Sequence, residues 1–352
     1  MIAPPVPSLS DRIRARIRRE GSISFLDFME AALYDADGGY YASPGRIGQP
    51  GDFVTSPHVS PAFAGTIARR FRQDAARLPG VVDFVEVGAG EGRFLEDFAR
   101  HLGRDDPALA ARVRLIAVER GGAAREALAR RPIAPEPRAL ASAEELAERS
   151  VSGWVFSNEL YDALPVARVL GTPSGPEELR VGLTGDRFVW ESVRASPEIV
   201  AAMARAAFAP TVGQSGEVRP GAAPLHRRLA ASITRGRLVA FDYGHRARVL
   251  YHPLARRSGT LAVHSGGRRG GDPLESPGAV DLTAHVNWDE LVAAGEAEGL
   301  TTIGIFRQGR YLAESGVFDL APSESERWRV HRLIDPEGMG EEISVLVQSR
   351  GI

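Results

Sequence analysis

The chain has 352 residues, 43% hydrophobic and 25% charged, with a formal charge of −2, a size that calls for one large α/β domain with insertions or for two lobes. The balanced charge removes the global electrostatic footprint of a nucleic-acid-binding protein, and with no run of about 18 apolar residues to cross a bilayer, neither nucleic acid nor membrane insertion is expected. There is no cysteine, and because there is no lysine either, all 43 basic residues are arginine, so disulfides, thiolate nucleophiles, cysteine-ligated metal, Schiff-base and Walker-lysine chemistry are excluded.

The opening stretch MIAPPVPSLSDRIRARIRRE lacks the apolar segment of a secretory signal, and Asp11 and Glu20 argue against a transit peptide, so a cytoplasmic location is expected. Ser10 precedes a short helix with Ile13 and Ile17 four apart and a solvated arginine face. A second helix is expected over 24–33, then a loop over 34–52 dense in Gly, Pro, Tyr and Asp, then a helix over 61–78 with Phe63, Ile67 and Phe71 as its apolar stripe. From Val81 the pattern alternates. The apolar run VVDFVEVG, a Gly-rich turn, a helix over 93–102 and the run RVRLIAVE ending at Glu119 open a βαβ unit. A helix over 123–130, a weak third strand, a helix over 142–149 and the runs GWVFSNE and RLVAFDYG continue it as a doubly wound sheet.

Between Pro165 and Arg235 the alternation breaks into hairpin strands, ARVLGT, LRVGL and RFVWES, an Ala-rich helix and a Gly/Pro stretch. This reads as an insertion. Residues 281–299 read as helix after the first few, capped by Asp281 and Thr283, and TTIGIF and EEISVLVQS close the sheet. The expected partition is an N-terminal helical segment with a cofactor-covering loop, 1–78, a core of 79–165 and 236–352, and an inserted substrate-side lobe, 166–235.

The turn Glu86-Val87-Gly88-Ala89-Gly90-Glu91-Gly92 follows a strand and opens a helix. Glycines at 88, 90 and 92 let a ligand approach the backbone, and the helix N-terminus offers unpaired N–H groups; the other reading is a purely structural turn. Position 93 is arginine where the dinucleotide fingerprint wants a small residue, which favours a nucleoside-bearing cofactor other than NAD. Glu119, at the end of the second strand, is placed to accept both hydroxyls of a ribose, or is a surface charge. Together these describe an S-adenosylmethionine site. The fourth strand ends in SNELYDALP, so Asn158 and Glu159 face the crevice at the strand ends, where ligands of open α/β sheets bind, with Asp162 close by; the alternative is a polar loop with Asp162 capping a helix. Paired carboxylates suit a guanidinium, which they grip bidentately. His245, His264 and His285 lack metal-ligand spacing and read as hydrogen-bonded structural groups or substrate contacts, so no metal is expected. Trp154, Trp190, Trp288 and Trp328 read as packing.

Six stretches, ISFLDFMEAALYDADGGYY, GDFVTSPHVS, VEVGAGEGRFLEDF, SNELYDALPVARV, AFDYGH with GTLAVH, and PGAVDLTAHVNWDEL, resemble the MidA family of S-adenosylmethionine-dependent methyltransferases. The resemblance implies a class I methyltransferase fold, a Rossmann-like doubly wound α/β sheet with an N-terminal extension and an insertion between strands 4 and 5. It implies a protein acceptor methylated on arginine, a respiratory-complex subunit in the mitochondrial members. It also implies a loop of Gly51, Asp52, Phe53, Thr55 and Ser56 over the cofactor, and Asn158, Glu159 and Asp162 at the methyl-transfer site. The chain departs from the family pattern at His58 and Thr66, where acidic residues are usual, and at Gly121-Gly122. Two rival readings follow: an assembly chaperone that binds the cofactor without catalysis, and a small-molecule methyltransferase.

Overall fold

The computed structural model describes residues 7–42, 55–266 and 268–352. It divides into two compact units, one of Val54–Asp162, Ala222–Gly244 and Trp288–Ile352 and one of Met1–Phe53, Ala163–Gly221 and His245–Asn287. The first is built on a sheet whose strands, in chain order, are β1 (Val82–Val87), β2 (Val113–Val118), β3 (Arg138–Leu140), β4 (Val151–Asn158), β5 (Ile233–His245), β6 (Thr301–Arg307) and β7 (Ile343–Arg350). They lie in the order β6-β7-β5-β4-β1-β2-β3. The pairs from β5 through β3 are parallel, while β7 runs antiparallel to both β5 and β6. This is the doubly wound sheet expected of a class I methyltransferase.

β1 is buried along its whole length, as a parallel strand covered on both faces must be. Its side chains alternate between two cores. Phe84 stacks on Phe98 with ring centroids 3.9 Å apart, in a cluster with Phe63, Phe71, Phe94, Trp154, Phe156 and Phe241; Val85 and Val87 join Ile116, Val118, Val155, Leu229 and Ile233 on the opposite face. The expected stripe Phe63, Ile67 and Phe71 belongs to the helix Pro61–Ala75, which starts with a proline and is capped by Ser60, whose hydroxyl accepts the Ala62 N–H. β1 pairs with β2 on one side and β4 on the other, so the winding reverses between β1 and β4 and the crevice opens beyond their C-terminal ends.

In the second unit the expected hairpin is present as Ala167–Thr172, Gly175–Thr184 and Arg187–Arg194, followed by the helix Pro197–Arg205. The helices Leu9–Glu20 and Phe25–Tyr34 carry Leu9, Ile13, Ile17, Phe25 and Phe28 into one apolar cluster with Val181 and Phe188. That packing moves the first helices into this unit and leaves the helix Pro61–Ala75 in the other, so the boundaries differ from the 1–78, 79–165, 166–235 and 236–352 division. The segments 222–235 and 245–287 likewise change sides, because helix Ala222–Ser232 feeds β5 directly and supplies Leu229 and Ala230 to the core.

Four further expectations are corrected. The first helix is capped by Ser8, whose hydroxyl accepts the Asp11 N–H, rather than by Ser10. Residues 142–149 form a single 3-10 turn, Ala143–Glu145, closed by a capping box of Ser142 and Glu145. Asp281 caps no helix: Asp281–Thr283 is a strand paired with Ala262–His264, the Asp281 carboxylate accepts the Tyr41 hydroxyl at 2.9 Å, and the next helix starts at Trp288. Trp154 and Trp288 are core residues, but Trp328 is 69% exposed. No helix among the described residues is long and apolar enough to cross a membrane.

Phe84 is central to the aromatic core and fully buried, so Phe84→Ala is expected to lower stability by about 3–5 kcal/mol in denaturant unfolding. A loss below about 1 kcal/mol would mean that the stacked rings collapse onto the vacated volume.

Candidate functional site

Gly88, Gly90 and Gly92 have φ of +75°, +52° and +79°, the left-handed region in which a Cβ is strained. Their surroundings separate their roles. A Cβ on Gly88 would lie 3.0 Å from the Leu160 side chain and one on Gly92 2.9 Å from Leu128, whereas one on Gly90 would meet nothing within 4 Å. Gly88 and Gly92 allow packing; Gly90 keeps an open face of backbone. Glu119 closes the turn from above β2. Its Oε2 accepts the Gly90 N–H at 2.8 Å and its Oε1 the Gly121 N–H at 2.6 Å. It is therefore no free surface charge, and Gly121 provides one of its two anchors. Glu86 is buried, its Oε2 has no hydrogen-bond partner, and burial, then the Glu119 charge, push its carboxyl well above the usual range.

β4 delivers the second half of the site. Val87 is in register with Ser157, so the glycine turn and Asn158-Glu159 leave the sheet side by side. Glu159 adopts φ +50°. Its N–H donates to the Phe241 carbonyl at 2.8 Å, and its Oε1 accepts the Ser56 N–H at 3.0 Å and the Asn158 amide at 2.9 Å. The structure thus brings Ser56, Asn158 and Glu159 together. The Oδ1 of Asn158 is buried without a hydrogen-bond partner. Asp162 is buried in an irregular turn, and since no helix starts there, the cap reading is wrong. Gly51, Asp52 and Phe53 lie outside the described residues.

The departures from the family pattern have different characters. Thr66 is completely buried inside its helix, its hydroxyl donating to the Ala62 carbonyl at 2.7 Å. His58 is bonded to Thr55 through Nδ1 at 2.8 Å, and burial, followed by the nearby Arg93 charge, lowers it to about 4. It is neutral at pH 7.

Sequence reasoning missed the groups that support this loop. Tyr161 is fully buried and meets His226 Nδ1 at 2.8 Å; His226 Nε2 meets Gln348 Oε1 at 2.9 Å, and the Gln348 amide donates to the Val292 carbonyl and to Thr302. The Val292 carbonyl can only accept, which orients the amide, makes His226 Nε2 the donor and leaves the tyrosine hydroxyl to donate to Nδ1. Burial raises Tyr161 and lowers His226 to about 4, so neither titrates near pH 7 and the chain is a neutral brace. Ser56 is held similarly, its hydroxyl donating to Gln308 at 3.1 Å. No motif or period links positions 161, 226 and 348.

Within the other unit, His245 meets Arg256 at 2.8 Å and lies 5.4 Å, ring to ring, from His285, while His264 meets the Thr283 hydroxyl at 3.0 Å. His245 and His264 are thus hydrogen-bonded within this unit, while His285 packs against the His245 ring. Among the described residues no group of three or more potential ligands is gathered for a metal.

Burial is the leading cause that lowers His58 and His226 to about 4 and His285 to about 3, from 6.5. On acidification the unfolded chain binds these protons first, so the contribution to stability is whole above pH 6.5 and is lost as the pH falls towards 4. The melting temperature is expected to be lower at pH 5 than at pH 7.5, with a shallower slope in His226→Gln; an unaltered slope would place the effect on other groups.

Residues 63–306 match the model of a family described as "Putative S-adenosyl-L-methionine-dependent methyltransferase". A protein of Burkholderia thailandensis, crystallised bound to S-adenosyl-homocysteine, is 30% identical with a TM-score of 0.86, the match covering 99% of this chain and 96% of that one. The mitochondrial protein arginine methyltransferase NDUFAF7 of Mus musculus is 24% identical over 369 residues, 93% of this chain and 80% of its own length. The protein of that name from Homo sapiens is 25% identical over 378 residues, 96% and 82%.

Proposed function

The chain belongs to the MidA family of S-adenosyl-L-methionine-dependent methyltransferases, and from that premise we propose that it methylates an arginine side chain of a protein. The observation that carries this reading is the pair Asn158-Glu159 at the end of β4, with Asp162 buried three residues on, leaving the sheet beside the glycine turn at the end of β1. The names of the mouse and human relatives support arginine as the acceptor. The family resemblance extends the proposal to a respiratory-complex subunit.

The residues present fit the cofactor. Gly90 leaves a face that a Cβ would fill, and Glu119, whose oxygens each accept one backbone N–H, retains lone pairs for the two hydroxyls of a ribose. Glu86, Gly88, Gly92, Thr55, Ser56 and Asn158 are the remaining proposed contacts, with Asp52 from the covering loop. Bound S-adenosylmethionine supplies a methyl group on a sulfonium that is already activated for displacement. The protein's task is alignment. Glu159, its Oε1 fixed by Ser56 and Asn158, orients the guanidinium, and Asp162 adds a second carboxylate for its spread positive charge.

The binding-only reading rests on His58 and Thr66, the latter buried within its helix with its hydroxyl on the Ala62 carbonyl. A radiolabelled methyl-transfer assay on bacterial lysate decides among the readings: label recovered as methylarginine in protein is expected, label confined to low-mass material would mean a small-molecule methyltransferase, and none, with S-adenosylhomocysteine bound, a binding protein. In the same assay Glu159→Gln should lower turnover by roughly two powers of ten with cofactor affinity nearly unchanged. By calorimetry, Glu119→Ala should weaken S-adenosylhomocysteine by more than about tenfold and Gly90→Val should abolish binding; full affinity in both would refute this placement of the cofactor.

A further inference from the structure

Asp242, near the end of β5, is completely buried, and three backbone N–H groups converge on its carboxylate. Oδ2 accepts from Tyr161 at 2.7 Å and from Asp162 at 3.4 Å, and Oδ1 accepts from Tyr243 at 2.8 Å. One residue earlier, the Phe241 carbonyl accepts the Glu159 N–H at 2.8 Å. Consecutive groups of β5 therefore take up the backbone donors of residues 159, 161 and 162. That loop has no helix or strand to hold its shape, yet Glu159 sits at φ +50°, a conformation that a residue with a side chain keeps when its surroundings over-determine it. A carboxylate is suited to this task because it only accepts; an amide of the same size would turn an NH₂ group towards at least one of the N–H groups it must receive.

Tyr243 follows Asp242 on β5. Burial, followed by the charges of Glu159 and Asp162, raises its phenol, so it stays protonated beside the two carboxylates.

Resting on the methyl-transfer reading, we propose that Asp242 is the positioning residue of the site: by holding the backbone of residues 161 and 162 it fixes the turn that keeps Glu159 left-handed, and so aims Asn158, Glu159 and Asp162 at the acceptor. It acts through Glu159.

The test is Asp242→Asn in the full-length chain, alone and combined with Glu159→Gln. Three quantities are read: S-adenosylhomocysteine affinity, amide hydrogen exchange of the segment 157–165, and the initial rate of label transfer from radiolabelled S-adenosylmethionine into lysate protein. The expected result is affinity within about threefold of the parent, exchange at 158–162 at least roughly tenfold faster with the segment 82–92 unchanged, and a transfer rate down by roughly thirtyfold or more. Because Asp242 acts through Glu159, the double variant should be no more than about threefold slower than the slower single one. Unchanged exchange at 158–162, or losses that multiply in the double variant, would overturn the proposal, the second pattern being that of a purely structural residue. Should Asp242→Asn not accumulate as folded protein, Asp242→Glu, which keeps the carboxylate but displaces it by one methylene, is read by the same criteria. If the parent binds S-adenosylhomocysteine yet labels no protein, the arginine-methylation reading fails, and the exchange result alone still decides the role of Asp242.

Discussion

Parallel pairing of β1 with β4, Val87 opposite Ser157, is the constraint on which the site depends. In a parallel pair both strands end at the same edge, and with the winding reversing between them no crossover covers that edge. The glycine turn and the Asn158-Glu159 pair are thereby forced out side by side, though 70 residues separate Gly88 from Asn158. The apolar residues of both strands are clamped between an aromatic layer and an aliphatic layer. A slip of one residue would exchange those layers and turn Glu86 to the other face, so hydrophobic packing also sets the register of the chemistry.

Around that edge the protein spends its buried polar groups on geometry. Glu119 ties Gly90 to Gly121, Glu159 ties Ser56 to Asn158, Asp242 ties β5 to the loop after β4, and Tyr161 ties the same loop through His226 to β7. Three of these four tethers are carboxylates receiving backbone N–H groups, the stronger kind of hydrogen bond. The fourth is neutral. Its end at Gln348 is accommodated because residue 295, in the helix Trp288–Ala297, is glycine: a Cβ there would fall 1.9 Å from the Gln348 side chain. A position far along the chain and without a polar atom in its side chain is thus part of what holds the loop after β4.

What could be read in the sequence was whatever is decided locally. The alternation of apolar runs and helices gave the sheet; the turn Glu86–Gly92 and Glu119 were visible because a glycine turn and a strand-end carboxylate each have a signature within a few residues. The SNELYD stretch was legible from its place after an apolar run. Asp242 was quoted only as part of AFDYGH, since nothing local shows that a strand residue will receive N–H groups from 81 and 80 positions away. His226 and Gln348 look like ordinary helix and strand residues for the same reason. The misread elements have their own causes. Residues 142–149 have helical composition, but after the capping box the chain enters β4 within a few residues. Asp281 was read as a cap because an acidic residue before a helix looks alike whether or not a strand intervenes. The compact units differ from the expected division where packing between distant segments, not composition, decides them: the first two helices find their apolar partners at Val181 and Phe188.

The placement of β7 carries a consequence for how the molecule is made. Residues 343–350 lie inside the sheet, between β5 and β6 and antiparallel to both, while the site they help to brace is formed by residues before 243. During vectorial synthesis, β1 to β5 emerge first and β5 then presents an open row of backbone donors and acceptors. The antiparallel pair of β6 and β7 must dock as a late step, and until Gln348 arrives His226 and Tyr161 have no terminus for their hydrogen-bonded chain. Until residues 343–350 have been made and docked, the nascent chain therefore carries its glycine turn assembled and the loop after β4 slack, with the open edge of β5 exposed to adventitious strand pairing.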